Sequence, residues 1–326
     1  MRGGRRGATL AAGLLLFVAA LAPRQSGAFC RTTTCAATGD CAPRECLQDS
    51  STDRECASAC PPARCLATDD NGCLTKGIPL FWTRRCLSFS LEATGSPVLG
   101  LGYADLLPVA QQAFGLWPQA ACSGGPPAIA VTSLAPLTCD VIEQNRTGPN
   151  ANGVIFQDQR WDYGTEIIGL TTVSFDGRTG EIIGADMQIN TFIYGVEFTP
   201  EGLSYTIAHE SGHFFGLAHS REAGSLMFFQ SSAGITASPA LTPDDVAGIC
   251  AIYPPLPATS SSAPLCDPDP RAGAFEPAGG FAPDCGGDVT AACAIPPGAP
   301  GAGAASIGLA AASISVAGRR RRSRPR

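Results

Sequence analysis

Eleven consecutive residues, His209-Glu210-Ser211-Gly212-His213-Phe214-Phe215-Gly216-Leu217-Ala218-His219, constrain this chain more than any other stretch. Their spacing reads H-E-x-x-H-x-x-G-x-x-H. On an α-helix His209 and His213 stand four apart, so both imidazoles leave one face and can share an ion. Glu210 sits beside them, close enough to reach a water on that ion without being a ligand. Gly216 can adopt the left-handed conformation that ends a helix, which turns the chain and brings His219 to the same centre. Three neutral imidazoles with one open position describe a catalytic zinc site, not a closed structural one. A bare H-E-x-x-H arises by chance on amphipathic helices. The added Gly216 and His219 argue against chance here, because the 326 residues contain only three histidines and all lie in this stretch.

These residues resemble the signature of the metzincin zinc endopeptidases. Metzincins carry a methionine turn under the metal, and Ser225-Leu226-Met227 supplies one eight residues after His219. That spacing, with Ser220 after the third histidine, is similar to the matrixin branch. The resemblance implies that Met227 is a hydrophobic floor and not a ligand, that Gly216 supports the site by breaking the helix, and that Glu210 is the general base. It also implies an α+β fold: a twisted, mostly parallel five-stranded sheet with an antiparallel edge strand, and three helices.

The ends of the chain carry export signals. Arg2, Arg5 and Arg6, an apolar run from Ala8 to Ala22, and Ser26-Gly27-Ala28 make residues 1–28 a secretory signal peptide, cut before Phe29. At the other end, residues 293–326 hold Cys293, a Pro/Gly/Ala spacer, a weakly apolar run from Ala304 to Ala317 and six arginines. This order resembles the C-terminal sorting tails of bacterial surface proteins, including those of myxobacteria. The run is barely long enough to span a bilayer, and the tail offers membrane attachment with the body facing outward. A secreted or outer-surface bacterial location is expected. Without its ends the chain keeps 12 basic and all 28 acidic residues, a net charge of −16. Such a surface argues against nucleic-acid partners and favours solubility and calcium loading.

Fifteen cysteines, 14 of them once Cys293 is set aside, read as a disulfide framework in an exported chain. Eight crowd residues 29–76, from Cys30 to Cys73, a stretch with few large apolar side chains that disulfides must hold together. There, Arg64-Cys65 with Asp69 resembles the matrixin propeptide switch, in which a cysteine thiolate caps the zinc. The prolines and glycine of that pattern are missing, and a disulfide is the favoured role for Cys65. Residues 257–292 read as a Pro/Gly-rich stalk whose Cys266 and Cys285 can bracket one disulfide.

Residues 77–256 read as the catalytic domain. Cys86 to Leu91 alternates as a strand. Tyr103 to Trp117 has helical spacing of Leu106, Leu107, Ala110, Ala113, Phe114 and Trp117. Further strands are expected at Pro126–Ser133, Gly153–Phe156, Gly169–Phe175 and Gly184–Asn190. By the resemblance, Gly169–Phe175 is the edge strand to which a substrate peptide adds. The active-site helix should start near Gly202. Thr242 and Pro243 cap a closing helix to Tyr253, where the family's paired aspartates, here Asp244 and Asp245, brace the methionine turn. Phe228-Phe229-Gln230 should wall the pocket beyond the scissile bond. The acidic loop Asp176 to Glu181 can ligate calcium or simply turn the chain.

The expected function is a zinc-dependent endopeptidase acting on a protein or peptide substrate, expected to be a monomer. One catalytic Zn2+ would be held by His209, His213 and His219. The second, structural zinc common in matrixins is not expected, for want of further histidines. The rival reading is an inert zinc-binding adhesion or interaction protein on the same scaffold; the retained Glu210 argues against it, since binding metal does not need that carboxylate.

Overall fold

The computed structural model describes residues 29–33, 69–71, 73–75, 77–145, 148–195, 197–229, 235–257, 266, 280, 282, 288–289 and 304–312. The signal peptide and Cys65 lie outside the described residues. Of the C-terminal tail, only the backbone of 304–312 is described.

In chain order the elements are β1 (Cys30–Arg31), β2 (Cys86–Leu91), α1 (Tyr103–Gly115), β3 (Ala130–Ser133), β4 (Glu143–Gln144), β5 (Gly153–Phe156), β6 (Ile167–Asp176) and β7 (Ile182–Ile189). Then come α2 (Thr191–Tyr194), α3 (Pro200–Phe214), β8 (Leu217–Ala218), α4 (Pro243–Ile252), β9 (Asp288–Val289) and β10 (Ala304–Ala312). The main sheet runs β10-β6-β7-β5-β2-β3. Strands β3, β2, β5 and β7 are parallel, while β6 runs antiparallel to β7. With β10 set aside, that is the expected α+β fold with its five-stranded, mostly parallel sheet, to which β10 adds a sixth strand.

Local chemistry sets the boundaries. The ladder of β3 begins at Ala130 and not at Pro126, because Pro126 and Pro127 have no N–H to donate. At the β6–β7 turn Asp176 Oδ1 accepts the backbone N–H groups of Arg178 and Thr179 at 2.7 and 3.2 Å. Thr199 caps α3 by accepting from Gly202 N at 2.9 Å, with Pro200 opening the first turn. Thr242 and Asp245 cap α4 reciprocally. A short fourth helix, α2, adds to the three expected.

The core lies between the sheet and helices α1 and α3. Phe114 stacks on Phe89 of β2 with centroids 4.2 Å apart and meets Phe214 of α3 edge-on at 5.2 Å. Trp82 Nε1 donates to the Phe214 carbonyl at 2.7 Å. Trp117 Nε1 reaches Ser211 Oγ at 2.9 Å. These buried donors find partners on α3, so the aromatic core fixes the helix that carries the first two histidines.

Three expectations change. Residues 29–33 are not part of a separate cysteine-rich segment: β1 pairs with β8, and Thr33 bridges to Pro79, inside the body. Cys30 is tied to Cys73. Cys266 pairs with Cys86 at the head of β2, not with Cys285, and β9 pairs with β4. Gly280 and Ala282 are also packed in: Ala282 N donates to Asn150 O at 3.2 Å, and a β-carbon on Gly280 would sit 2.8 Å from Asn152 Nδ2. The described residues of 257–292 are therefore bound to the body and are no free-standing stalk. Finally, β6 is not the outermost strand, because β10 pairs antiparallel along it, Leu309 opposite Thr171. No helix among the described residues is long and apolar enough to cross a membrane.

Candidate metal centre

Helix α3 ends at Phe214, and Gly216 follows at φ +95°. A β-carbon there would be strained and would also lie 2.8 Å from the Leu80 carbonyl oxygen. The chain thus reverses onto β8, and His219 comes back over the helix. Ligating nitrogens of His209, His213 and His219 lie within 4.8 Å of one another, the one such convergence of three ligand-type side chains among the described residues. His213 Nε2 and His219 Nε2 are 3.2 Å apart. Two nitrogens on one tetrahedral zinc, with bonds of about 2.0–2.1 Å, stand roughly 3.3 Å apart.

The backbone fixes which nitrogen of each helical histidine faces the centre. His209 Nδ1 lies 2.6 Å from the Leu226 carbonyl oxygen, and His213 Nδ1 lies 2.8 Å from that of Leu217. A carbonyl only accepts, so both Nδ1 atoms carry the proton and both Nε2 atoms present lone pairs inward. His209 Nε2 is buried with no partner. A buried lone pair facing two others is costly unless a cation satisfies them. The three histidines fit zinc.

Burial pulls His209 down to about 4, partly offset by the Leu226 carbonyl. Burial lowers His213 well below its ordinary value, helped by charge repulsion from His219 and His209. The ligands therefore stay neutral at physiological pH, as metal binding requires.

Glu210 lies against β6. Thr171 Oγ1 donates to Glu210 Oε2 at 2.7 Å, while Oε1 is buried with no partner. Gly169 makes room, because a β-carbon there would lie 2.7 Å from Oε1. Burial pushes the carboxyl up to about 8, against the stabilising Thr171 bond.

Met227 lies buried beneath α3, its thioether against Gly212. Asp245 holds the turn: it accepts from Ser225 Oγ at 2.6 Å, Leu226 N at 2.9 Å and Met227 N at 3.1 Å. Asp244 Oδ2 takes Ser220 Oγ at 2.7 Å. The two aspartates thus brace both ends of the segment from Ser220, next to the third ligand, to Met227. Phe228 and Phe229 follow the turn, partly exposed, their rings 4.6 Å apart. In the acidic loop, Asp176 is taken up by its turn and Glu181 accepts from Thr83, so the loop lends calcium no support.

The sequence reading gathered the triad, Glu210, Gly216 and Met227. It missed Thr171, Gly169, Gly212 and Trp117, whose roles arise only where α3, β6 and the methionine turn meet. A threonine two positions into the strand expected over the cleft was the one available hint.

A helix-borne histidine pair, a third histidine after a glycine break and a methionine turn, all under a mostly parallel sheet, define a metzincin-type centre. The branch follows from comparison: residues 146–254, about a third of the chain, match the matrixin family model. A stretch of 66 residues is 44% identical to human neutrophil collagenase, covering 19% of this chain and 14% of that protein. The chain thus matches only a small part of the length of that relative. Over residues 146–254 the chain is similar to the matrixins.

Proposed function

We propose that this protein is an exported zinc endopeptidase. The observation that carries the proposal is the pairing of three converging imidazole nitrogens with a neighbouring buried carboxylate that keeps one oxygen without a partner. Zinc held by His209, His213 and His219 would supply Lewis-acid polarisation of a scissile carbonyl and a more acidic water. Glu210 does the proton work. Thr171 holds Oε2, so Oε1 is the oxygen offered to the water proton, and zinc beside it would favour the ionised carboxylate that can take that proton. The same oxygen then returns the proton to the leaving amine.

The substrate is an extended peptide that pairs along β6 beside Glu210, in the place that β10 takes in this structure. Export is supported by the disulfides Cys30–Cys73, Cys86–Cys266 and Cys122–Cys250, which persist only in an oxidising compartment. The leader at 1–28 and the tail at 293–326 agree with this.

Metal analysis combined with cleavage of a peptide library, wild type beside Glu210→Gln, tests the proposal. One zinc per chain in both proteins, with cleavage only by the wild type, is the expected result. Stoichiometric zinc and no cleavage of any peptide by the wild type would favour the inert scaffold.

A further inference from the structure

The limb joining the second and third histidines is held from outside the expected catalytic domain. Among the described residues, strand β8 has a single ladder partner, β1. Arg31 stands opposite Leu217, and Cys30 opposite Ala218. Thr32 N donates to the Gly216 carbonyl at 3.0 Å, while the Thr32 carbonyl accepts from Leu80 N at 2.8 Å. The buried Thr32 hydroxyl donates to the Leu217 carbonyl oxygen at 3.0 Å. That is the same oxygen that His213 Nδ1 meets at 2.8 Å.

We infer that Thr32 is a positioning residue of the metal centre, orienting His213 through the Leu217 carbonyl. The inference rests on the zinc reading given above. A carbonyl oxygen has two lone-pair directions. With the Thr32 hydroxyl on one, the Leu217 peptide cannot swing, and the other direction stays fixed on the imidazole. Among the described residues, strand β1 supplies the only ladder for the peptide pair that follows the glycine break, and the Cys30–Cys73 bond anchors that strand. Orienting partners of metal-bound histidines are worth about 10–100-fold in metal affinity, and Thr32 stands one step further out along the same line.

The test uses the full mature chain with Thr32→Val, which keeps shape and loses the hydroxyl, and Thr32→Ser, which keeps the hydroxyl. Zinc affinity is read by competition with a chromophoric chelator. Thr32→Val should bind zinc about tenfold more weakly, with Thr32→Ser close to wild type. The second readout needs no metal: exchange of the His213 Nδ1–H proton, followed by NMR, should be about tenfold faster in Thr32→Val than in wild type and restored in Thr32→Ser. A wild type that fails to bind zinc would count against the protease reading, while the exchange comparison still decides the role of Thr32. Equal exchange in Thr32→Val and wild type, or a zinc affinity unmoved by the valine, overturns the inference.

Discussion

Gly212 lies flat against the thioether of Met227, so close that a β-carbon would overlap the sulfur and also stand 2.7 Å from the Trp117 ring. The helix that carries two histidines and the turn beneath it are packed with no side chain between them. Gly212→Ala should gain helix propensity, worth roughly 1 kcal/mol, and lose more by overpacking, which costs about 1–3 kcal/mol. A lower melting temperature with weakened zinc retention is expected. Calorimetry on metal-free and zinc-loaded protein checks it, and an unchanged melting temperature would show that Met227 moves aside freely.

Gly169 faces Glu210 as Gly212 faces Met227. An alanine at 169 would push into Oε1 and Cγ at 2.7 and 2.8 Å and drive the carboxylate from its Thr171 bond. The proposed base would be displaced while the histidines stay in place. Displacements of about 1 Å at a reacting group cost on the order of 100-fold in rate. Gly169→Ala should therefore lose about that much in kcat and keep one zinc per chain. Loss of metal in parallel with rate would contradict the division of labour between α3 and β6.

Asp245 connects the closing helix to the first ligand through one residue, Leu226. Leu226 N donates to its carboxylate, and the Leu226 carbonyl meets His209 Nδ1. Asp245→Asn turns an NH2 group toward donors on either the Ser225 or the Thr242 side. Hydrogen bonds to a charged acceptor are worth about 1.5–3 kcal/mol each, so a loss of roughly 3 kcal/mol is expected. Denaturant unfolding of the metal-free protein measures it; a change under 1 kcal/mol, about the value of one neutral hydrogen bond, would remove Asp245 from this role.

The sequence made the long elements and the zinc motif legible because their signals are local. Period, caps and the glycine break all lie within a few residues of what they determine. The strand β1 was not legible: a two-residue ladder has no period, and its partner lies more than 180 positions away. Cys266 was misassigned for a similar reason, since nearby cysteines in sequence say nothing of which sulfurs meet. Gly169 and Gly212 looked like ordinary residues because the atoms that exclude a side chain there, Glu210 and Met227, belong to different elements.

Acid and alkali should stress the metal-free protein in opposite ways. Burial holds Glu210 up near 8, from an ordinary 4.5. Between those values the folded protein keeps a proton that the unfolded chain has released, so stability falls as pH rises across them. Burial holds His209 down near 4, from an ordinary 6.5. Between those values the unfolded chain takes up a proton the fold refuses, so stability falls as pH drops. His213 and His219 are lowered in the same way, so below 6.5 the three histidines outweigh the one carboxylate, and the chelator-stripped protein should be most stable near pH 6.5. Zinc beside Glu210 favours the carboxylate and should hold the melting temperature level up to pH 8. A metal-free melting temperature that keeps climbing from pH 6.5 to 8 would refute the burial argument for Glu210.

The outermost strand of the sheet, residues 304–312, is supplied by the same chain and lies along the edge that the proposed substrate needs. A tethered segment meets its partner at an effective concentration on the order of millimolar. An arriving peptide at micromolar levels competes with an occupant that never diffuses away, so its apparent affinity is discounted by the occupancy of that edge. Shedding the tail would lift the discount without altering one atom of the metal centre.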